Sequence, residues 1–233
     1  MNSTVIFEDL GLMEYKQAWD YQEEVFDSII GTKLFNREHP DDLKPISHKL
    51  LFCEHPHVYT LGKSGVVNNL LINDAFLKQI NATYYKSNRG GDITYHGPGQ
   101  IVGYPIFDLE EMGLTIKNYI HLLEESIISC IADYNLKGDR LDGSTGVWLD
   151  VDVAGKTRKI CAIGVKASRY VSMHGFALNV NTDLSYFNHI NPCGFLDKGV
   201  TSLEKELGEK QDFELVKKNL LHHIEKVFQV KLV

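Results

Sequence analysis

Residues 159–194 constrain the fold of this chain more than any other stretch. Two apolar segments in this stretch, Lys159–Lys166 and Met173–Val180, are typical of strands. They lead into a turn in which a proline and a glycine flank Cys193. A turn can present a side chain to a ligand, whereas a core cysteine usually lies inside an apolar run. Cys193 is therefore a candidate nucleophile, with an inert loop cysteine as the alternative.

The composition indicates a globular protein with a substantial core. The 233 residues, 43% hydrophobic and 24% charged, fit a single domain over residues 1–233, and no shift in composition marks a boundary. No apolar run is long enough to span a bilayer, and the first residues lack the pattern of a signal peptide. The four cysteines form no CxxC pair, so we expect a reduced, cytoplasmic protein without a membrane partner. A net charge of −7 argues against a nucleic-acid binder.

Amphipathic patterns predict three long helices, each with an apolar face that belongs in the core. They cover Glu14–Phe35, Thr115–Tyr134 and Phe213–Phe228. Asp212 is the expected N-cap of the last, and Asn73 caps a shorter helix over Asp74–Ile80. Between the helices lie short segments typical of strands, several joined by tight turns. This order predicts an α+β fold with a mixed, mostly antiparallel sheet flanked by helices.

Two further predictions concern connections between strands. The Gly-Pro-Gly at 97–99 is typical of a tight turn, so Asp92–His96 and Gln100–Asp108 are expected to form a hairpin. Val151–Ala154 is expected to be a strand, after which a Gly-Lys-Thr turn leads into the segment that begins at Lys159.

The segment Arg89–Gln100 is rich in residues suited to ligand binding. Its glycines are compatible with a plain hairpin, but they also let backbone N–H groups approach a ligand carbonyl without obstruction by a Cβ atom. The presence of Arg89, Tyr95 and His96 within a few residues of these glycines favours the second interpretation. The segment is therefore a candidate substrate-binding loop.

Two other patterns are weaker candidates for sites. Cys53, His55 and His57 alternate, so an extended chain places them on one face, but a tetrahedral zinc site needs a further ligand that the nearby sequence does not supply. We expect a polar edge near a substrate channel instead. The Gly-Lys-Thr at 155–157 matches the end of the phosphate-binding loop motif. The first glycine of that motif would fall on Asp150, so the sequence does not contain the motif.

Basic residues are concentrated beside the candidate nucleophile. They are Lys156, Arg158, Lys159, Lys166 and Arg169. One interpretation is a solvated strand edge, where lysine is common. The other is a local landing surface for an acidic partner.

Four motifs closely resemble those of the lipoyl(octanoyl) transferase family, in the family's order. They are Arg89-Gly90-Gly91-x-x-Thr94-Tyr95-His96-Gly97-Pro98-Gly99-Gln100, Lys159-Ile160-x-Ala162-Ile163-Gly164, His174-Gly175-Phe176-Ala177-Leu178-Asn179 and Ile190-Asn191-Pro192-Cys193-Gly194. The resemblance implies the fold shared by biotin and lipoate protein ligases, and an acyltransferase that uses no cofactor and no metal. The implied donor is octanoyl-acyl carrier protein. The implied acceptor is a specific lysine on the lipoyl domains of 2-oxoacid dehydrogenases or on the glycine-cleavage H protein.

The resemblance also assigns residues to roles. It makes Cys193 and Lys159 catalytic, whereas the residues alone leave His96 and His174 open as partners of the thiol. The substrate-binding positions that it implies are Arg89, Gly90, Gly91, Asp92, Ile93, Thr94, Tyr95, His96, Ala162, Ile163, Gly164, Gly175, Phe176 and Ala177. Candidates for stabilising the oxyanion are Asn179, Asn191 and backbone N–H groups near the thiol.

The expected reaction is two successive acyl transfers, from the carrier protein to the cysteine and from the cysteine to the acceptor lysine. Lys159 would stabilise the thiolate in the first and act as general base in the second. Three alternatives are an ATP-dependent lipoate-protein ligase on the same fold, a cysteine-dependent hydrolase or amidase, and a non-catalytic acyl-protein binding module.

Overall fold

A computed structural model of the chain describes residues 3–191 and 198–233. Over these residues the chain forms twelve strands and five α-helices. In chain order they are β1 (Thr4–Leu12), α1 (Tyr15–Glu38), β2 (His48–Glu54), β3 (Val58–Leu61), α2 (Asp74–Gln79), β4 (Thr83–Lys86), β5 (Ile93–His96), β6 (Gln100–Ile106), α3 (Ile116–Ala132), β7 (Gly138–Leu141), β8 (Ser144–Leu149), β9 (Arg158–Ser168), β10 (Val171–Asn179), β11 (Gly199–Val200), α4 (Leu203–Leu207), α5 (Phe213–Phe228) and β12 (Lys231–Leu232). No helix in these two ranges has the length and hydropathy needed to cross a bilayer.

The large sheet runs in the order β12-β1-β2-β6-β10-β9-β8-β7, with β11 beside β9. Six of the ten strand pairings in the described part of the chain are antiparallel, so the predicted mixed, mostly antiparallel sheet is confirmed. Strand β10 pairs with β9 only as far as Cys161, and β8 takes the other edge of β9. Strand β11 therefore lies beside Arg158 and Lys159, past the end of β10.

The central strands of this sheet are buried on both faces, because helices cover both. Alternate side chains of a strand point to opposite faces. Leu51, Val102 and Ala177 accordingly pack against α1. Their chain neighbours on the same strands, among them Leu50 and Ile101, pack against α3 and α5. The three long helices begin within one residue of the predicted starts. The side chains of Asn73 and Asp212 accept the expected capping bonds from Phe76 and Leu215.

A small second sheet, in the order β4-β3-β5, carries the loop that leads to the candidate site. The predicted hairpin between Asp92–His96 and Gln100–Asp108 is wrong, because the two strands belong to different sheets. Strand β5 pairs with β3, while β6 enters the large sheet between β2 and β10. Gly99, at φ +79°, makes the crossing, and its carbonyl accepts from the N–H groups of Val180 and Asn181. A Cβ atom on Gly99 would lie 2.4 Å from the carbonyl oxygen of Asn181, so only glycine fits.

The predicted strand over Val151–Ala154 is also wrong. Strand β8 ends at Leu149, and Asp150 takes a left-handed conformation with φ +51°. The N–H of Val153 then donates to the carbonyl of Asp150, which closes a turn. Val153 is exposed and has no strand to pair with among the described residues, so the chain forms a turn here and not the predicted strand.

Candidate active site

A cavity of about 420 Å³ lies between the loop before β5 and the strands β9 and β10. Thirteen of the fourteen predicted substrate-binding residues line it. They are Arg89, Gly90, Gly91, Asp92, Ile93, Thr94, His96, Ala162, Ile163, Gly164, Gly175, Phe176 and Ala177. The fourteenth, Tyr95, lies behind the wall, where its hydroxyl is 2.7 Å from Nδ1 of His57 and its ring stacks on Tyr186. The volume suits a small-molecule or acyl-chain site.

Glycines let the walls of the cavity approach each other closely. The N–H of Gly90 donates to the carbonyl of Val165 at 2.9 Å, which joins the loop before β5 to β9. A Cβ atom on Gly164 would lie 2.9 Å from the Gly90 carbonyl oxygen. A Cβ atom on Gly175 would lie 2.1 Å from the Gly103 carbonyl oxygen. These strands can therefore be this close only where no side chain intervenes.

We expect Gly175→Ala to lower the free energy of unfolding by about 1–3 kcal/mol, because β6 must move to admit the methyl group. Urea denaturation of both proteins measures the difference. The matched control is Gly31→Ala in α1, where the added Cβ meets no atom within 4 Å. That variant should gain about 0.5–1 kcal/mol from helix propensity. Equal stability of Gly175→Ala and wild type would show that the close contact is dispensable.

A chain of hydrogen bonds, in which each residue donates to the next, forms the polar wall of the cavity. Buried Arg89 donates from Nε to Oγ1 of Thr60 at 3.1 Å, and that hydroxyl lies 3.4 Å from Nε2 of His96. Nδ1 of His96 donates to Oε1 of Gln100 at 2.8 Å, since the amide nitrogen of Gln100 is already donating to Oδ1 of Asn179, also at 2.8 Å. Nδ2 of Asn179 donates to the carbonyl of Thr201 at 2.9 Å.

The two histidines that could have served as partners of the thiol are neutral members of this wall. Burial, with the nearby charges of His55 and Arg89, lowers the pKa of His96 to about 3. Burial and Arg89 lower the pKa of His174 to about 3, and its Nε2 lies 2.6 Å from Oδ1 of Asn88. His174 also has φ +58° inside β10, an uncommon conformation for a residue other than glycine. Their geometry indicates a structural role for both rings.

Lys159 reaches the cavity from β9. Trp148 and Val147 are consecutive on β8 but pair with Lys159 and Cys161, so β9 carries a bulge at Ile160. Bulges change the direction of neighbouring side chains and are frequent beside active sites. The ammonium of Lys159 donates to the carbonyl of Thr145 at 3.2 Å and lies 4.4 Å from the centre of the Trp148 ring. Sequence reasoning missed Thr145 and Trp148, because only the pairing of β8 with β9 brings them here.

Cys193 falls in residues 192–197, outside the part of the chain that the structure describes. The described residues on either side of it line the cavity: Ile190 on one side, and Lys198 with β11 on the other. The N–H of Asn191 donates to the carbonyl of Asn69 at 2.8 Å, and β11 pairs with Arg158 and Lys159. Asn179 lines the cavity as well, with its amide engaged as described above.

The remaining candidates have structural partners. His55 contacts the carbonyl of Met13 through Nδ1 and the hydroxyl of Tyr104 through Nε2, both at 2.7 Å. Burial lowers its pKa to about 4. Across residues 3–191 and 198–233, no cluster of three or more His, Cys, Asp or Glu side chains is placed to hold a metal ion.

Arg158 and Lys159 are not at a strand edge, because β8 pairs with them on one side and β11 on the other. Within the described part of the chain, Lys166 pairs with β10 on one side only. Arg158 forms ion pairs with Glu206 and Asp150, so part of its charge is used inside the protein. Lys166 lies at the opposite end of β9 from Lys159, with its ammonium 4.7 Å from the centre of the Phe26 ring. The five basic residues are therefore spread from the turn before β9 to the residue after it and do not form one patch.

Comparisons with known proteins agree with the sequence motifs. The chain matches the lipoyl protein ligase A/B catalytic domain over residues 14–225. It is 56% identical over 234 residues to the octanoyltransferase of Flavobacterium johnsoniae, covering 100% of both chains. It is 54% identical over 232 residues to the octanoyltransferase of Cytophaga hutchinsonii, covering 99% of this chain and 95% of that one.

Among solved structures, the chain is similar to one from a bi-partite lipoate protein ligase of Thermoplasma acidophilum, with a TM-score of 0.71 and 12% identity. The match covers 100% of this chain and 86% of that chain, and at this identity it shows the shared fold. The predicted lipoate-ligase fold and the family resemblance are both confirmed. The chain therefore belongs to the lipoyl protein ligase A/B catalytic domain family, with octanoyltransferases as its relatives.

Proposed function

We propose that this chain is an octanoyltransferase that moves an octanoyl group from octanoyl-acyl carrier protein to a lysine of a lipoyl domain, through a thioester on Cys193. This is the first step of endogenous lipoate synthesis, and the acceptors are 2-oxoacid dehydrogenases and the glycine-cleavage H protein. The two octanoyltransferase relatives support the reaction class. One observation carries the assignment of the site. Lys159 and thirteen of the family's fourteen substrate-binding positions line one cavity, whose wall also includes Ile190 before the Cys193 segment and Lys198 after it.

The properties of the other cysteines support Cys193 as the nucleophile. The sequence has four cysteines, and three of them, Cys53, Cys130 and Cys161, are buried. Burial raises the pKa of Cys130 to about 12 and raises the pKa of the other two well above the usual range of a thiol. Only a thiolate is an effective nucleophile, and such thiols stay protonated at neutral pH. The loop cysteine remains as the one suited to form a thioester.

In the first half-reaction, the Cys193 thiolate attacks the carbonyl carbon of the octanoyl thioester. A bond from that carbon to the Cys193 sulfur forms, and its bond to the phosphopantetheine sulfur breaks. The ammonium of Lys159 stabilises the attacking thiolate and then gives a proton to the leaving sulfur. The products are octanoyl-Cys193, a free carrier thiol and a neutral Lys159. Exchange between two thioesters is close to balanced, so this step needs no ATP.

In the second half-reaction, the acceptor lysine attacks the carbonyl carbon of octanoyl-Cys193. A solvated lysine with a pKa of about 10.4 is neutral in roughly one molecule in a few thousand at neutral pH, so the step needs a base. The acceptor ammonium loses one proton to solvent before it attacks. Lys159, neutral after the first half-reaction, takes the second proton from the nitrogen that becomes the amide. The amide forms, Cys193 leaves as a thiolate, and the ammonium–thiolate pair is restored.

The apolar wall of the cavity suits an acyl chain. Ile163, Val165 and Phe176 provide this wall, and the small residues Ala162 and Gly164 leave room beside it. Burial of each methylene contributes about 0.8 kcal/mol, roughly 5 kcal/mol for an octanoyl tail. Asn179, Asn191 and backbone N–H groups near the thiol are the groups that we propose stabilise the oxyanion on the acyl carbonyl.

The test is the intact mass of the protein after mixing with octanoyl-acyl carrier protein. We expect the wild type to gain one octanoyl group, which a free thiol or a lipoyl domain then removes. Cys193→Ala should gain none. The control Cys130→Ala, which removes a buried thiol from α3, should gain the group as the wild type does.

The same assay separates the alternatives. A ligase would transfer octanoate only with ATP and would keep its activity in Cys193→Ala. A hydrolase would release free octanoate at the same rate with or without a lipoyl domain. A binding module would retain the carrier protein in both forms and turn over neither. Any of these results would overturn the proposed function.

A further inference from the structure

Glu124 is a buried carboxylate on the face of α3 that packs against β8. Its side chain is among otherwise mostly apolar residues and is about 10% exposed. Oε1 accepts the backbone N–H of Gly146 at 3.0 Å, and Oε2 accepts from Nε of Arg140 at 3.1 Å. Burial of a carboxylate is unfavourable unless its charge and hydrogen bonds are matched, as they are here. The first of these two bonds connects it to Lys159.

The link runs through one peptide group. The N–H that Glu124 accepts and the carbonyl that Lys159 contacts belong to the same peptide unit, between Thr145 and Gly146. In a planar trans peptide the N–H and C=O point in opposite directions, so fixing one fixes the other. A negative charge at the N–H also polarises the unit and makes its carbonyl a stronger acceptor. The carboxylate therefore orients and strengthens the acceptor that contacts the ammonium.

The local sequence allows this arrangement. Gly146 has φ +127°, a conformation that favours glycine, and a Cβ atom there would lie 2.6 Å from the carbonyl oxygen of Cys161. The same Cβ atom would lie 3.4 Å from Cε of Lys159, so the lysine side chain passes across this glycine. The bulge at Ile160 turns Lys159 toward the peptide.

We propose that Glu124 is a positioning residue for Lys159 that acts through the Thr145–Gly146 peptide. The inference rests on the proposed function, in which Lys159 holds and moves the proton. Glu124 keeps the ammonium of Lys159 at the cavity wall and favours its protonated form before the first half-reaction. Without the carboxylate, the carbonyl of Thr145 is a weaker acceptor and the lysine loses its proton more readily.

Other charged groups face this part of β9 from each neighbouring element. Arg140 on β7 pairs with both Glu124 and Glu125, and Arg158 on β9 pairs with Glu206 on α4 and with Asp150. Lys198 lines the same cavity just before β11. On β9 itself, the thiol of Cys161 interacts electrostatically with both Lys159 and Glu124.

The test follows the ¹⁵N shift of the Gly146 amide while Lys159 titrates, because this nitrogen shares a peptide unit with the carbonyl that the ammonium contacts. Glu124→Gln keeps an acceptor for the Gly146 N–H and removes only the charge. We expect it to lower the titration midpoint by about one pH unit, since removal of a nearby opposite charge favours the neutral amine. Lys159→Met should abolish the titration and thereby identify its source.

Glu125→Gln is the matched control. Glu125 is adjacent in sequence and also pairs with Arg140, through Nη2 at 2.7 Å, but Gly146 bonds to Glu124 and not to it. It should leave the midpoint at its wild-type value. An unchanged midpoint in Glu124→Gln, or an equal shift in both variants, would overturn the inference. The titration does not depend on turnover, so loss of the proposed function in the mass assay is a separate result.

Discussion

Replacing Lys159 by methionine is expected to slow both half-reactions by on the order of 10²–10⁴, the usual contribution of a positioned acid–base group. Methionine has a similar length and packs against Trp148, which lies 4.4 Å below the ammonium in the wild type. It neither stabilises a thiolate nor carries a proton. Single-turnover mixing with octanoyl-acyl carrier protein, followed by intact mass, measures the first rate. Addition of a lipoyl domain to isolated octanoyl-enzyme measures the second.

Lys159→Arg separates the two roles. Arginine keeps the positive charge and can donate to the Thr145 carbonyl, but it does not lose its proton in a protein. We expect octanoyl-Cys193 to form faster than in the methionine variant, because the charge still stabilises the thiolate, but more slowly than in the wild type, because arginine gives no proton to the leaving sulfur. The thioester should then persist, because no base accepts the proton of the incoming amine. Normal turnover of the methionine variant would remove Lys159 from the mechanism. Fast deacylation of the arginine variant would remove it only as the base.

Elements with local signals could be predicted from the sequence. Helix α5 spans Phe213–Phe228 as expected, because Asp212 caps its first turn and its apolar residues repeat with the helical period. The same signals placed α3 and α2 to within a few residues. Both a cap and a periodic apolar face depend on residues less than one or two turns apart, so they are readable without knowledge of the rest of the fold.

Connections that depend on distant partners could not be predicted. The turn at 97–99 looks like a hairpin turn, yet β5 pairs with β3 and β6 with β10, nearly eighty residues away in sequence. The site shows the same division. The motifs predicted which residues line the cavity, through a family resemblance. Lys159 contacts the carbonyl of Thr145 and the ring of Trp148, which no local pattern associates with it.

The second large effect is loss of stability in mild acid. Burial lowers the pKa of His55 to about 4 and those of His96 and His174 to about 3. In the unfolded chain each imidazole has a pKa of about 6.5, so between these values the unfolded state binds more protons. Stability is then complete above about pH 6.5 and falls as the pH decreases. Each ring lowers the free energy of unfolding by about 1.4 kcal/mol per pH unit below pH 6.5, or roughly 6 kcal/mol for all three by about pH 5.

A loss of this size is comparable to the whole stability of a typical domain, so we expect urea midpoints to drop steeply between about pH 6.5 and pH 5. Most carboxylates titrate below this window, which isolates the imidazoles. His174→Asn should reduce the slope by up to about a third, because burial also lowers the pKa values of His48 and His57. Asparagine tolerates the left-handed backbone at that position and does not take up a proton. His121→Gln, at an exposed position on α3, should leave the slope unchanged. A flat profile in the wild type would mean that these rings take up protons as readily in the folded protein as in the unfolded chain, so that the polar wall of the cavity becomes charged as the pH falls.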